Sequence, residues 1–319
     1  MDSTDWPAAE FQAHRAHLRA VAYRMLGSLT EADDAVQEAW LRLSRTDADD
    51  VRNMRAWLTT VVSRVCLDML RTRSARREDP LDVHVPDPVV TSAADDPEEH
   101  ALLADSVGLA LLVVLDTLSP AERLAFVLHD IFAVPFEQIG PVLDRSPAAA
   151  KQLASRARRR LHTAPARPAA GQAGAPAADS PGEQAAGAEA AVTAGLGRQW
   201  AVVDAFLAAS REGDFERLLT ILDPDVVLRA DAGTGPLGPS TLVRGAREVI
   251  AQAQRFAPLG RFARPVLVNG GPGFLVARDG EPLALMAVTV DGGRITEMDV
   301  LADPDRLARL DLTAVLAPE

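Results

Sequence analysis

The sequence is poor in the residues that most often do chemistry. Cys66 is the one cysteine in 319 residues. That excludes a disulfide within the chain and any cysteine-built zinc site, and it fits a reducing, cytoplasmic setting. The six histidines, at 14, 17, 84, 100, 129 and 162, lack metal-ligand spacing. The nearest pair, His14 and His17, is a helical i, i+3 with no third ligand close by, so no metal or other cofactor is expected. Residues 163–319 hold no histidine, cysteine or tyrosine. Long apolar runs are missing too: "VGLALLVVL" at 107–115 is far too short to cross a bilayer. "MDSTDWPAAEFQ" lacks the apolar centre of a secretory leader, so no membrane partner is expected. Positive charge is outnumbered throughout, with a net charge of −12 over the chain. Residues 1–162 carry 19 Lys+Arg against 25 Asp+Glu, and residues 163–319 carry 14 against 20, a net −6 in each. A chain of this charge is no nonspecific nucleic-acid binder, and local clusters must carry any contact with DNA.

Two such clusters exist: Arg71, Arg73, Arg76 and Arg77, then Lys151, Arg156, Arg158, Arg159 and Arg160. Each closes an expected helix, where cations also offset the helix dipole. Residues 10–77 read as helices throughout. "EFQAHRAHLRAVAYRML" places Leu18, Val21, Ala22 and Met25 at helical spacing, Gly27 stops it, and Thr30 is the expected cap of the next helix. "EADDAVQEAWLRL" puts Ala35, Val36, Ala39, Trp40 and Leu43 on one face and Asp33, Asp34, Gln37 and Glu38 on the other. A third helix follows the polar break "TDADDVRN", with Trp57, Leu58, Val61, Val65 and Leu67 as its buried stripe.

Residues 78–98 hold four prolines and seven acids and are expected to form an extended linker without packing. Helices resume over 99–162. Ser119 and Pro120 begin one, "PFEQIGPVLDR" makes a short one, and Ser146 and Pro147 begin the last. Short helix, tight turn and second helix is helix-turn-helix grammar. In the last helix Leu153, Ala157 and Leu161 face inward, and Lys151, Gln152, Ser155, Arg156 and Arg159 face out. Ser146 and Ala148 leave its first turn uncrowded, as entry into a major groove requires.

Residues 163–198 are dominated by Ala, Pro and Gly and are expected to be a disordered tether. Over 199–319 the pattern changes again. Two helices around Gly213-Asp214, a strand "DVVLRAD", a helix "GAREVIAQAQRFA" and four strand-like runs split by Asn-Gly-Gly, Asp-Gly and Asp-Gly-Gly turns suit antiparallel hairpins. The expected domain is α+β, helices first and then a curled antiparallel sheet with a concave face.

The motifs "EADDAVQEAWLRL", "RAWLTTVVSRVCLDMLRTRSARR" and "LSPAERLAFVLHDIFAVPFEQIGPVLDRSPAAAKQLASRARRRL" resemble the second and fourth conserved domains of bacterial RNA polymerase sigma factors of the extracytoplasmic-function class. The resemblance implies five parts: a polymerase and minus-ten domain over 1–77, the linker over 78–98, a helix-turn-helix domain over 99–162, the tether over 163–198, and a SnoaL-like regulatory cone over 199–319. It implies RNA polymerase core and promoter DNA as partners. Asp33, Asp34, Gln37 and Glu38 match the family's polymerase-binding helix. Asn53, Arg55, Thr60 and Arg64, with the loop from Thr46 and the Arg71 cluster, match its minus-ten reader. The helix from Ser146 to Arg159 would read the minus-thirty-five element.

Sigma factors with a SnoaL-like tail form a known group in which the tail regulates the same chain. Its recurrent motifs are matched divergently by "VHVPDP" (Pro86, Asp87, Pro88) and "DAGTGP" (Asp231, Gly233, Gly235) and more closely by "DPDRL" (Asp303, Pro304, Asp305, Arg306, Leu307). Asp303 would cap a short helix, Leu307 would pack, and Asp305 and Arg306 would pair with polar groups of the linker or cone. Three rivals stand beside this reading. The cone could bind a small-molecule ligand in an apolar pocket. It could be an enzyme, resting on Asp231, Glu297 or Asp299 with a raised pKa. The helical half could be a repressor that works without polymerase.

Overall fold

The computed structural model describes residues 5–45, 53–76, 83–92, 108–163, 181–233, 235 and 237–316. Among these, no helix is long and apolar enough to cross a membrane. The chain divides into two compact units. One holds the described residues up to Arg76 and those of 112–163; the other holds 83–92, 108–111 and everything from 181 onward.

The first unit begins with three helices, α1 (Asp5–Leu26), α2 (Leu29–Leu43) and α3 (Met54–Arg76). Leu18, Val21, Ala22 and Met25 of α1 are fully buried, as are Ala32, Ala35 and Ala39 of α2 and Leu58 and Val62 of α3. The i, i+3/i+4 spacing gives each helix one apolar stripe, and three stripes close on one another. Ser28 caps α2, its hydroxyl accepting from the Glu31 amide. The sequence suggested Thr30; positive φ at Gly27 ends α1 so tightly that the very next residue can begin the turn.

Four more helices follow, α4 (Leu109–Asp116), α5 (Pro120–Phe126), α6 (Phe136–Val142) and α7 (Pro147–Thr163), with a single π turn at Val127–Ile131 after α5. Ser119 and Glu122 form a reciprocal capping box at α5. Arg123 is buried. Its guanidinium pairs with Asp116 and donates to the carbonyl of Arg24 from Nε (3.3 Å) and Nη2 (3.2 Å). Arg24 in turn lies over the Phe132 ring, and Arg64 donates to the Pro141 carbonyl at 2.9 Å. Through these contacts α5 and α6 pack on α1 and α3 within the one unit.

In the second unit helix α8 runs from Pro181 to Glu212. This corrects the expected tether: the chain is helical from Pro181 onward, and only 164–180 lies outside the described residues. The alanines of 181–198 that looked like linker composition are also the strongest helix formers. Gly213 takes φ +69° and Asp214 caps α9 (Phe215–Ile221). Then come β2 (Leu222–Asp231), β3 (Thr241–Arg244), α10 (Ala246–Phe256), a 3-10 turn at Ala257–Phe262, β4 (Ala263–Val268), β5 (Gly271–Arg278), β6 (Glu281–Asp291) and β7 (Arg294–Leu301). The chain closes with α11 (Pro304–Leu307) and α12 (Thr313–Leu316).

With β1 (Val90–Ser92), the described strands form one sheet in the order β1-β4-β5-β6-β7-β2-β3. β4 to β7 are the expected antiparallel hairpins, but β2 pairs parallel with β7. The sheet is therefore mixed, because the helix α10 lies between β3 and the meander and returns the chain to the far edge. On the helix side of the sheet Val203, Phe206, Leu228, Val249, Ile250, Phe274 and Met298 make the core.

The strand β1 (Val90–Ser92) comes from the linker and pairs antiparallel with β4. Val85 and Val89 are buried. The linker is therefore a packed element over 83–92, contrary to its composition. A sheet edge supplies the unpaired N–H and C=O groups that such an extended segment can use, and β-branched valines suit the pleat. Phe274→Ala should lower the stability of the cone by roughly 3–5 kcal/mol, measured as a drop in the urea midpoint of its unfolding transition. A cost below about 1 kcal/mol would mean the ring is not core.

Candidate functional site

Three constellations are positioned by these elements. The first is the pair α6–α7. Gly140 sits where an added Cβ would meet the Arg145 carbonyl at 2.8 Å, and Asp144 takes φ +54°. Together they make the tight turn that sets α7 against α6. Ser146 caps α7 by accepting from the Ala149 amide at 3.2 Å. Leu153 and Ala157 are buried, while Ala148, Lys151, Gln152, Ser155, Arg156 and Arg159 are exposed. Three of the arginines also have acidic partners. The buried carboxylate of Glu122 receives Arg160 at 2.9 Å and Arg156 at 3.8 Å, and Arg158 pairs with Asp130 at 3.3 Å. Part of the basic cluster thus pairs at the surface with acids of α5 and of the turn that follows it. The sequence pattern did not reveal this, because nothing local places Glu122 of α5 beside α7.

The second constellation is the face of α2 and the start of α3. Asp34 and Gln37 are exposed, and Glu38 pairs with Arg42 one turn on. Asp33 is tied down by Arg19 of α1, at 2.7 and 3.0 Å. On α3, Asn53 caps the helix by accepting from the Ala56 amide. Thr60 bonds back to the Ala56 carbonyl. Arg55 and Arg71 are exposed. Residues 46–52 of the expected reading loop lie outside the described residues. Between α1 and α3, His17 is held neutral. Burial first, then the charges of Arg55, His14 and Arg24, push it down to about 4.

The third constellation is where the linker meets the cone. Asp303 caps α11, accepting from the amides of Asp305 (2.9 Å) and Arg306 (3.1 Å), and Leu307 is buried. This one turn of helix aims Arg306 at the linker. Its guanidinium donates to Asp87 from Nε (3.0 Å) and Nη2, to the Val85 carbonyl from Nη2, and to Asp231 Oδ2 from Nη1 (2.6 Å). Asp231 Oδ2 also accepts from the Val85 amide at 3.1 Å and faces His84 at 3.3 Å. Pro86 and Pro88 are buried on either side of Asp87. The structure brings together Asp87, Asp231 and Arg306, expected separately from 219 residues of sequence separation at the widest. Asp305 is exposed and contributes its amide rather than its carboxylate. Gly233 and Gly235 make the close approach: a Cβ on Gly233 would fall 2.1 Å from Asp303 Oδ2, and one on Gly235 would fall 2.8 Å from the Ala232 and Ala302 carbonyls.

The model of Sigma-70 region 2 matches residues 11–76, and that of Sigma-70, region 4 matches residues 108–161. The ECF RNA polymerase sigma factor SigJ of Mycobacterium tuberculosis is 38% identical over 312 residues, covering 93% of this chain and 92% of that protein. A probable ECF RNA polymerase sigma factor of the same organism, SigI, is 34% identical over 318 residues, covering 96% and 97%. The chain belongs to the ECF RNA polymerase sigma factors. The crystal structure of SigJ superposes with a TM-score of 0.70 at 35% identity, over 96% of this chain and all of that one. The sigma factor thus carries a helix-turn-helix of region 4 in α6–α7, and an α+β SnoaL-like cone follows it. It directs polymerase core to promoters for initiation.

The other two acids considered for catalysis pair within the sheet. Glu297 and Asp299 of β7 are both nearly inaccessible and share Arg229 of β2, which reaches Glu297 Oε1 at 2.7 Å and also pairs with Asp299. Among the described residues Glu297 Oε2 meets no hydrogen-bond partner. Burial, and then the neighbouring Glu297 charge, push Asp299 up to about 7 against the pull of Arg229. Burial raises Glu297 as well, opposed by Arg229 and Arg244. For Asp231, burial opposes the charge, but hydrogen bonds from His84 and the Val85 amide and the charge of Arg306 outweigh it and hold the carboxyl below its usual range. Burial pushes the Cys66 thiol up to about 12, which leaves it without thiolate reactivity.

These shifts have opposite consequences for stability. Asp299 binds its proton more tightly folded than unfolded, so its contribution is full below the unfolded value of about 3.9 and is lost as pH rises towards about 7. Asp231 contributes above the ordinary carboxylate range and loses its contribution as pH falls through its lowered value. The cone should therefore become less stable between about pH 5 and 7, and Asp299→Asn should flatten that slope in urea titrations. An unchanged slope in the variant would show that the proton sits elsewhere.

Proposed function

We propose that the cone regulates this sigma factor in cis by holding the linker between its two DNA-reading domains. The observation that carries the reading is the Arg306 guanidinium, which bonds Asp87 and the Val85 carbonyl of the linker and Asp231 of the cone at once. A linker fixed in this way limits how far regions 2 and 4 can separate, and a promoter with two elements must be met by both. Within this reading Asp34, Gln37 and Glu38 present the polymerase-binding face, and Asp33 orients it through Arg19. Asn53, Arg55, Thr60, Arg64 and Arg71 serve the minus-ten element. Ser146 and Ala148 open the recognition helix, Lys151, Gln152 and Ser155 meet the minus-thirty-five element, and Arg156 and Arg159 lie towards phosphate. Arg64 is engaged with Pro141 of α6, so reading the minus-ten element requires that contact to open. The factor works in the cytoplasm with its polymerase.

No catalytic step is assigned to the cone. The three acids an enzyme would have used are each committed to an arginine. The helix side of the sheet is filled by Trp200, Phe206, Phe274 and Met298, so the reading rests on contacts within the chain rather than on a bound small molecule.

Arg306→Ala leaves Asp87 and Asp231 without their shared cation, a loss of roughly 3–5 kcal/mol for a largely buried pair. Run-off transcription with core polymerase should change several-fold in this variant, as it should on deleting 303–319 or ending the chain near residue 163, while co-purification with core polymerase persists. Transcription equal to that of the intact chain would remove the regulatory role. In promoter binding by holoenzyme, Gln152→Ala should cost about 1–3 kcal/mol at one base position, whereas Lys151→Ala should weaken all sequences alike. Uniform loss from Gln152→Ala would reassign that side chain to the backbone.

A further inference from the structure

The linker strand β1 has only three residues, paired as Val90 with Val268, Thr91 with Leu267 and Ser92 with Val266. So short a strand fixes its own register weakly, and a slip by one residue turns each side chain to the opposite face. At its start stands Asn269, in the turn between β4 and β5, which the sequence marked only as part of an Asn-Gly-Gly hairpin. Asn269 is buried and takes φ +50°. Its amide donates to the Val89 carbonyl at 2.8 Å, and its side-chain Oδ1 accepts from the Val89 amide at 2.7 Å. One residue thus satisfies both backbone polar groups of Val89, itself buried. A hairpin tip needs none of this; an Asn-Gly turn closes equally well with its side chain in water.

We propose that Asn269 is the positioning residue that sets the register of the linker on the cone, and so fixes the length of chain left to reach region 4 and with it the promoter spacing this sigma factor accepts. The inference rests on the reading that the cone holds the linker. It adds a second fastener, separate from Arg306 and with a different task. Arg306 holds the Asp87 side chain and the Val85 carbonyl, and a guanidinium on a flexible stem follows a small shift. The paired bonds of Asn269 tolerate less, because a slip by one residue in one direction brings Pro88, which has no N–H, to the buried Asn269 Oδ1 and leaves that oxygen without its donor.

The test uses full-length protein with core polymerase on promoters whose two elements stand at the preferred spacing or one base pair nearer or farther. Asn269→Gly keeps the positive φ and removes the acceptor; Asn269→Asp keeps both. In Asn269→Gly, hydrogen exchange at the Val89 amide should quicken about tenfold or more, and the preference for one spacing should flatten. Asn269→Asp should restore both. Wild-type protection and wild-type spacing preference in Asn269→Gly, with Arg306→Ala altering transcription, would overturn the register role and leave the cis reading standing. An equal fall on every spacing with Val89 still protected would also overturn it, as the mark of a merely weakened cone. If Arg306→Ala is silent too, the cis reading falls and this inference with it.

Discussion

Arg306 is the constraint on which the second unit depends. A planar guanidinium with five donors can serve several acceptors at once in fixed directions, and here it serves two carboxylates and a carbonyl. Each partner needs the others. Asp87 and Asp231 would repel without the cation, and the cation would be costly to bury without them. The rest is arranged to present it: Asp303 and Pro304 start a single helical turn, Leu307 anchors that turn, and Gly233 and Gly235 let the loop before β3 come close to Asp303. A segment with four prolines and seven acids acquires a definite path only because this group and the β4 edge receive it.

The same economy of cations runs through the chain. With acids in excess, nearly buried arginines recur where helices or strands must be joined. Arg123 connects α5 to the end of α1, and Arg229 spans the two acids of β7. The buried Glu122 carboxylate pairs with two exposed arginines of α7. The basic end of the recognition helix is therefore partly structural. Its first turns are small and polar, and Lys151, Gln152 and Ser155 form an exposed row, the part proposed above to read DNA. A weakly basic reader in an acidic protein gains little from nonspecific phosphate attraction, which suits a factor delivered to promoters by polymerase.

Much of this was legible beforehand, for physical reasons particular to each element. Helical periodicity placed the stripes of α1 to α3, because amphipathic burial is a local pattern. Ser119-Pro120 and Ser146-Pro147 marked helix starts, because capping acts over three residues. Asp-Gly and Asn-Gly turns marked the meander. What was misread has two causes: alanine's own helix propensity was taken for linker composition, and the two sheet pairings depended on partners far along the chain. The alanine-rich stretch after Pro181 is helix rather than tether, the linker is a strand rather than a free spacer, and β2 runs parallel to β7. Asn269 carried no signal beyond its turn.

The sequence by itself determined the helical domains, the helix-turn-helix and the α+β character of the tail, since propensity, capping and turn chemistry are written within a few residues; the residues of the linker clasp were marked, one motif at a time, by resemblance to the family. Only the tertiary structure decided that Asp87, Asp231 and Arg306 are one site, that Val89 is fastened by Asn269, and that Glu297 and Asp299 are bound to Arg229. Hydrogen bonds and ion pairs between residues tens to hundreds of positions apart depend on how a whole sheet closes, and no local pattern encodes that closure.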